Sequence, residues 1–200
     1  MRRNCRLPIV EKVGRILKIA ANMFTHLRFF EYENAYGHYT KAMQGIKQCT
    51  DRNSRTKIIA KPVLLLSIIK LMENGKNNNF FTYSEIEPIY RDLYAQWLAD
   101  VGQERATPLC YPFYFLRSDG FWHLVWKTSE VKTENPTAAW LERNCHGTSL
   151  DPDLWVLLLD KTYRDRVAQF LIDRKISEAV PRTPSLKNAF RCFAQMLMIA

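Results

Sequence analysis

The chain has 200 residues and a mass of 23.5 kDa, with 47% hydrophobic and 24% charged residues, which excludes a disordered or collagen-like polymer and fits one domain with appendages. Lys and Arg number 29 against 20 Asp and Glu, a net charge of +9, and +8 of it falls in residues 1–60. That imbalance points to a polyanion, either nucleic acid or an acidic membrane surface, met from the N-terminal side.

The elements follow in chain order. Residues 9–24 carry Ile9, Val10, Val13, Ile16, Leu17, Ile19 and Ala20 at helical spacing beside Lys12, Arg15 and Lys18, an amphipathic cationic helix. Those charges, with Glu11, break up what would otherwise read as a signal peptide, and no uncharged apolar run reaches the ~18 residues of a membrane span. Residues 30–48 predict a second helix, with Phe30, Tyr32, Ala35, Tyr39, Met43 and Ile46 on one face. Thr50 to Lys61 reads as a basic loop around the turn formers Asn53 and Ser54. Residues 61–75, KPVLLLSIIKLMENG, predict a core helix with Pro62 in its first turn and Gly75 as its stop. A turn at Asn77, Asn78 and Asn79 and a short extended piece lead to a helix from near Glu85 to Leu98, with Ser84 as its cap.

Beyond a loop at 99–110, the aromatic runs 113–117 and 121–127 flank Ser118-Asp119-Gly120, which predicts a β-hairpin. A polar loop at 128–137 precedes a short helix over 138–143. Asp151-Pro152-Asp153 opens a further helix or turn, Thr162–Ile172 predicts another helix, and 186–200 is apolar and helical in pattern. The fold class is therefore α+β, mainly α: a helical domain with a small antiparallel β-hairpin sheet.

Little in the sequence suggests catalysis. Nucleophile elbows, phosphate loops and dinucleotide fingerprints are absent. His26, His38, His123 and His146 are scattered, and the five cysteines are odd in number, widely spaced and without a CxxC pair. They read as reduced thiols of a cytoplasmic protein. No catalytic residue, metal ligand or cofactor is assigned. The Cys145-His146 pair is the nearest approach to a metal site, and it underlies one alternative, a metal-dependent endonuclease.

What remains is a basic stretch (Arg52, Arg55, Lys57 and Lys61) and an aromatic stretch, Tyr111-Pro112-Phe113-Tyr114-Phe115-Leu116-Arg117. Cations supply phosphate contacts and counterion release, and aromatic and proline surfaces supply an apolar wall. Tyr111 and Pro112, at the start of the expected strand, are expected to be exposed. Phe113 and Phe115 are divided between the wall and the core.

The order and spacing of Ala60-Lys61-Pro62-Val63-Leu64-Leu65-Leu66, Gly75, Tyr111–Arg117 and Ser118-Asp119-Gly120-Phe121-Trp122 resemble the N-terminal domain of modification-dependent, type IV HNH restriction endonucleases, a family that includes the sulfur-binding domains of phosphorothioate DNA. The resemblance spans roughly 30–175. It implies a DNA-binding domain there, after a basic extension at 1–29. Family nucleases continue into a C-terminal HNH domain, and the sequence departs from them here, with a tail expected at 176–200 and the HNH domain absent. It also implies that Lys61 contacts the modified backbone and that Tyr111, Pro112 and Phe115 form an apolar cup for sulfur. With the basic residues Arg52, Arg55 and Lys57, and with Arg117, they make up the expected DNA-binding set. Ala60 stands where the family often has histidine, and Phe115 where it often has a small residue. The partners implied are double-stranded DNA, modified or plain, a separate nuclease subunit, and a second copy in a homodimer. The other alternative is an interaction module whose basic N-terminal helix and apolar tail dock to a protein or a membrane.

Overall fold

Seven α-helices surround one two-stranded antiparallel sheet among residues 30–180, the residues described by a computed structural model of the chain. The expected helices at 9–24 and 186–200 lie outside the described residues. In order, the elements are α1 (30–44), α2 (Ala60–Glu73), α3 (Tyr83–Trp97), α4 (Cys110–Phe115), a 3-10 turn (Leu116–Asp119), β1 (Trp122–Trp126), α5 (Ala138–Asn144), β2 (Cys145–Leu150), α6 (Pro152–Leu159), α7 (Lys161–Leu171) and a π-helical turn (Ile172–Ile176). The fold class is thus α+β and mainly α, as the sequence predicts.

Helix α2 is the centre of the molecule. It is mostly apolar, and it buries Val63, Leu64, Leu65, Leu66, Ile68, Ile69 and Met72 against α3, α4 and α7. Pro62 stands in its first turn, where no helical partner for its missing N–H exists. The helix stops where expected: Gly75 takes φ 94°, and the Lys76 N–H returns to the Leu71 carbonyl at 3.0 Å.

Helix α3 starts two residues earlier than the sequence suggests. Thr82, not Ser84, is the cap, in a reciprocal box with Glu85. Ile86, Tyr90, Tyr94 and Trp97 form its buried face. Partial burial works against ionisation of Glu85. The Lys76 ammonium at 2.6 Å and the Thr82 N–H at 2.8 Å outweigh it, so the carboxyl titrates below the ordinary 4.5. A lowered folded-state pKa contributes stability that is present above the unfolded value and lost as pH falls through the folded one. The melting temperature is therefore expected to fall as pH drops below about 4.5, and Glu85→Gln to flatten that fall, as thermal melts at pH 7, 4 and 3 would show.

The predicted hairpin is corrected. Residues 110–119 form α4 and the 3-10 turn, and the strand partner of β1 is β2, reached through the loop 127–137 and α5. Two causes combine. Leu109, Phe113 and Leu116 recur at helical spacing and are all buried, and Pro112 occupies the first helical turn. Gly120 does turn the chain, at φ 88°, but it closes the 3-10 segment and does not join two strands. The register pairs Trp122 with Leu150 and Leu124 with Thr148, with a bulge between Val125 and Trp126. Phe81 adds a bridge to Thr148, and this brings the backbone close. A Cβ on Gly147 would lie 2.5 Å from the Phe81 carbonyl oxygen.

Helix α1, shorter than the predicted 30–48, packs on the C-terminal helices through aromatic and charged groups. Tyr32 stacks on Tyr163 with centroids 5.2 Å apart, the Arg166 guanidinium lies 4.0 Å from the Tyr36 ring centre, and Glu33 accepts from both Tyr163 and Arg166. Beyond α7, Lys175 is buried and donates to the carbonyls of Gln44 (2.6 Å) and Ile46 (3.2 Å), the end of α1. Ile176, Ala179 and Val180, assigned to the tail from the sequence, are buried in the core.

Candidate nucleic-acid interface

The basic loop is an ordered turn. Asp51 Oδ1 accepts from the backbone N–H groups of Ser54 (2.8 Å) and Asn53 (2.9 Å) and from the Ser54 hydroxyl, and these bonds, led by the Ser54 N–H, hold its carboxyl below the ordinary value against the opposing effect of burial. Thr50 and Lys57 bridge across its base. Arg55 takes φ 56°, a left-handed conformation that costs a residue with a side chain about 1 kcal/mol. The turn projects Arg52 and Arg55 into solvent. Lys57 is also exposed and lies 3.5 Å from Glu178, and its carbonyl accepts from Gln103 Nε2 at 2.9 Å. Gln103 in turn accepts from Tyr94 of α3, so the loop is anchored to the core.

Lys61, in the first turn of α2, is tied to Asp119. Its Nζ lies 2.5 Å from Asp119 Oδ2, and the two side chains are only 14% and 11% exposed. This pair joins the start of α2 to the 3-10 turn that follows α4. The two segments that the sequence singles out, 58 residues apart at this contact, therefore meet. Lys175 feels the same neighbourhood. Burial pushes its ammonium below the ordinary value, Glu178 opposes this, Lys57 adds to it, and Asp119 opposes it. The start of α2 is thus a place where positive and negative groups nearly balance, and the loop cations without an ion pair among the described residues are Arg52 and Arg55.

The aromatic stretch divides. Tyr111 is 38% exposed and its ring lies nearly parallel to that of Phe115, with centroids 6.5 Å apart and 13° between planes. Phe115 is half-buried against the core. Pro112 is buried inside α4, which corrects its expected place at an exposed strand start. Phe113 and Tyr114 belong to the core. Arg117 turns back on its own helix: its guanidinium lies 3.7 Å from the Tyr114 ring centre, Nη1 donates to the Tyr114 carbonyl at 3.0 Å, and Glu130 lies 3.9 Å away. Of the eight residues predicted for DNA contact, Arg52, Arg55, Lys57 and Tyr111 are exposed, Phe115 and Arg117 are half-buried, Lys61 is nearly buried in its ion pair, and Pro112 is buried.

Sequence reasoning missed two features. Asp119 was read as a turn residue, and nothing local marks it as the partner of Lys61. His123, on the exposed side of β1, is hydrogen-bonded to Asp151, which also accepts from Tyr39 at 3.3 Å. Burial and the nearby Asp151 and Asp153 push the Tyr39 phenol up to about 12, so the Tyr39–Asp151 bond keeps its proton at any ordinary pH. Cys145 is buried and His146 exposed on a cleft with Thr82, Ser84 and Lys127. Among the described residues no three His, Cys, Asp or Glu side chains gather as metal ligands, and no helix is long and apolar enough to cross a membrane.

No family model matches the sequence, and no curated protein matches it. Among solved structures, the fold is similar to that titled "Sulfur binding domain of SprMcrA complexed with phosphorothioated DNA", with a TM-score of 0.56 and 17% identity over 79% of this chain and 94% of that one. At that identity, the likeness establishes a shared fold.

Proposed function

We propose that the chain is a DNA-binding module that reads the sugar-phosphate backbone, with phosphorothioate sulfur as its preferred mark, and that it serves a restriction-type system in which cleavage belongs to a separate nuclease. The observation that carries this reading is the junction of α2 with the α4 turn through Lys61 and Asp119, which places the Tyr111–Phe115 ring pair and the basic loop on segments anchored to one core. The solved neighbour, itself bound to phosphorothioated DNA, supports the same ligand.

The chemistry follows from the groups present. Sulfur in place of a non-bridging oxygen keeps the charge but is larger, more polarisable and less strongly hydrated. Laying it against the rings of Tyr111 and Phe115 therefore costs less desolvation than laying an oxygen there. Because Asp119 balances Lys61, that ammonium is not free to favour the harder phosphate oxygen. Attraction to the duplex comes instead from Arg52, Arg55 and Lys57 on the loop, and it is independent of base sequence.

Fluorescence anisotropy with matched phosphorothioate and plain duplexes tests this. Tyr111→Ala is expected to weaken binding to the sulfur duplex by about tenfold, roughly 1.4 kcal/mol, and to leave plain-duplex binding nearly unchanged. Arg52→Ala and Arg55→Ala are expected to weaken both equally, each reducing the slope of log affinity against log salt by about 0.9. Equal losses on both duplexes for Tyr111→Ala would remove the sulfur assignment, and no binding to either duplex at low salt would remove the DNA reading altogether.

A further inference from the structure

A concavity lies between α1 and α6. It encloses about 560 Å³ and is lined by Glu31, Tyr32, Ala35 and His38 from α1 and by Asp153 and Val156 from α6. Its character is unlike that of the rest of the protein. In a chain of net charge +9, Glu31 and Asp153 are both exposed and neither forms an ion pair among the described residues. Val156, which lines the cleft with Tyr32, Ala35 and Leu157, is 47% exposed. Two helices thus frame an apolar floor with carboxylates on either side, the shape and charge that accept an amphipathic cationic helix.

Such a segment exists in this chain. Residues 9–24 carry Ile9, Val13, Ile16, Leu17 and Ala20 at helical spacing with Lys12, Arg15 and Lys18, and residues 1–29 hold seven basic residues against the single acid Glu11. The described chain begins at residue 30, and Glu31 at the cleft is the next residue, so the linker 25–30 spans up to about 20 Å. Attachment that close gives an effective concentration on the order of millimolar, which favours the chain's own segment over any free competitor of the same chemistry.

We propose that the α1–α6 cleft is the docking site of residues 9–24 of the same chain, with the apolar side chains on Val156 and the cations beside Glu31 and Asp153. Hydrogen exchange of the full-length protein, read by mass spectrometry, tests this. Amides of 9–24 are expected to exchange at least about tenfold more slowly than an unstructured chain, and Asp153→Lys/Val156→Asp to abolish that protection while α2 keeps its own. Both positions are exposed, so the core should survive; if α2 loses protection, Glu31→Lys serves as the second variant with the same expectation. Unprotected amides at 9–24 in the wild type, or protection that neither variant reduces, would overturn the proposal. Protection that rises with protein concentration would also overturn it, by assigning the cleft to the segment of a second copy.

Discussion

Replacing Trp122 by alanine is expected to cost about 3–5 kcal/mol, the largest single-residue loss in the molecule. The indole is fully buried, its ring meets Phe113 edge to face at 5.7 Å, and its N–H donates to the Phe113 carbonyl at 2.8 Å. Trp122 therefore fastens β1 to α4, and its removal both opens a cavity and leaves a carbonyl unpartnered. Trp122→Phe keeps most of the apolar contact and loses the hydrogen bond, so a cost nearer 1–2 kcal/mol is expected. Urea unfolding followed by circular dichroism would measure both, with the midpoint falling and the slope unchanged. A loss below about 1 kcal/mol for Trp122→Ala would show that the α4–sheet junction is not held in this way.

The second large effect concerns Asp119. Asp119→Ala strands the Lys61 ammonium where little water reaches it, and a cost of about 2–3 kcal/mol is expected, below the range for fully buried pairs because both side chains keep some exposure. The double variant Lys61→Met/Asp119→Leu is expected to return to within about 1 kcal/mol of the wild type, because a matched apolar pair carries no desolvation cost. The cycle of two single variants and the double, measured by denaturant unfolding, gives the coupling directly. Near-zero coupling would mean that the pair does not join α2 to the α4 turn. The same double variant also separates two roles for Lys61 in DNA binding. If Lys61 only positions the turn, the salt slope stays at its wild-type value; if Lys61 itself meets a phosphate, the slope falls by about 0.9.

The helices were largely legible because their cores are periodic. KPVLLLSIIKLMENG announces α2 by its apolar content, its first-turn proline and its terminal glycine, and all three behave as expected. Tyr83–Trp97 was legible from Ile86, Tyr90 and Trp97, and only its cap was misplaced, because Thr82 and Ser84 are both competent and the reciprocal Glu85 decides between them. The 111–117 stretch misled because aromatic residues favour strands in isolation, whereas here a buried i, i+4, i+7 row and a proline in the first turn fix a helix. Strand β2, CHGTSL, has no aromatic residue and only one β-branched one, so it is a strand through its pairing with β1 and with Phe81. The candidate interface was legible in its residue types but not in its geometry. Nothing local reveals that Lys61 is matched by Asp119, that Arg117 folds back on Tyr114, or that Pro112 lies inside α4, because each depends on contacts made only once the chain is folded.

The contact of Lys175 with the end of α1 bears on how the chain is made. Gln44 and Ile46 receive their donors from a residue about 130 positions further on, and Glu33 and Tyr39 likewise wait for Arg166 and Asp151. A ribosome delivers α1 long before these partners emerge, so α1 spends most of translation without the surface it is built to cover. Native assembly is therefore a closing event, late and governed by the slow capture of distant segments.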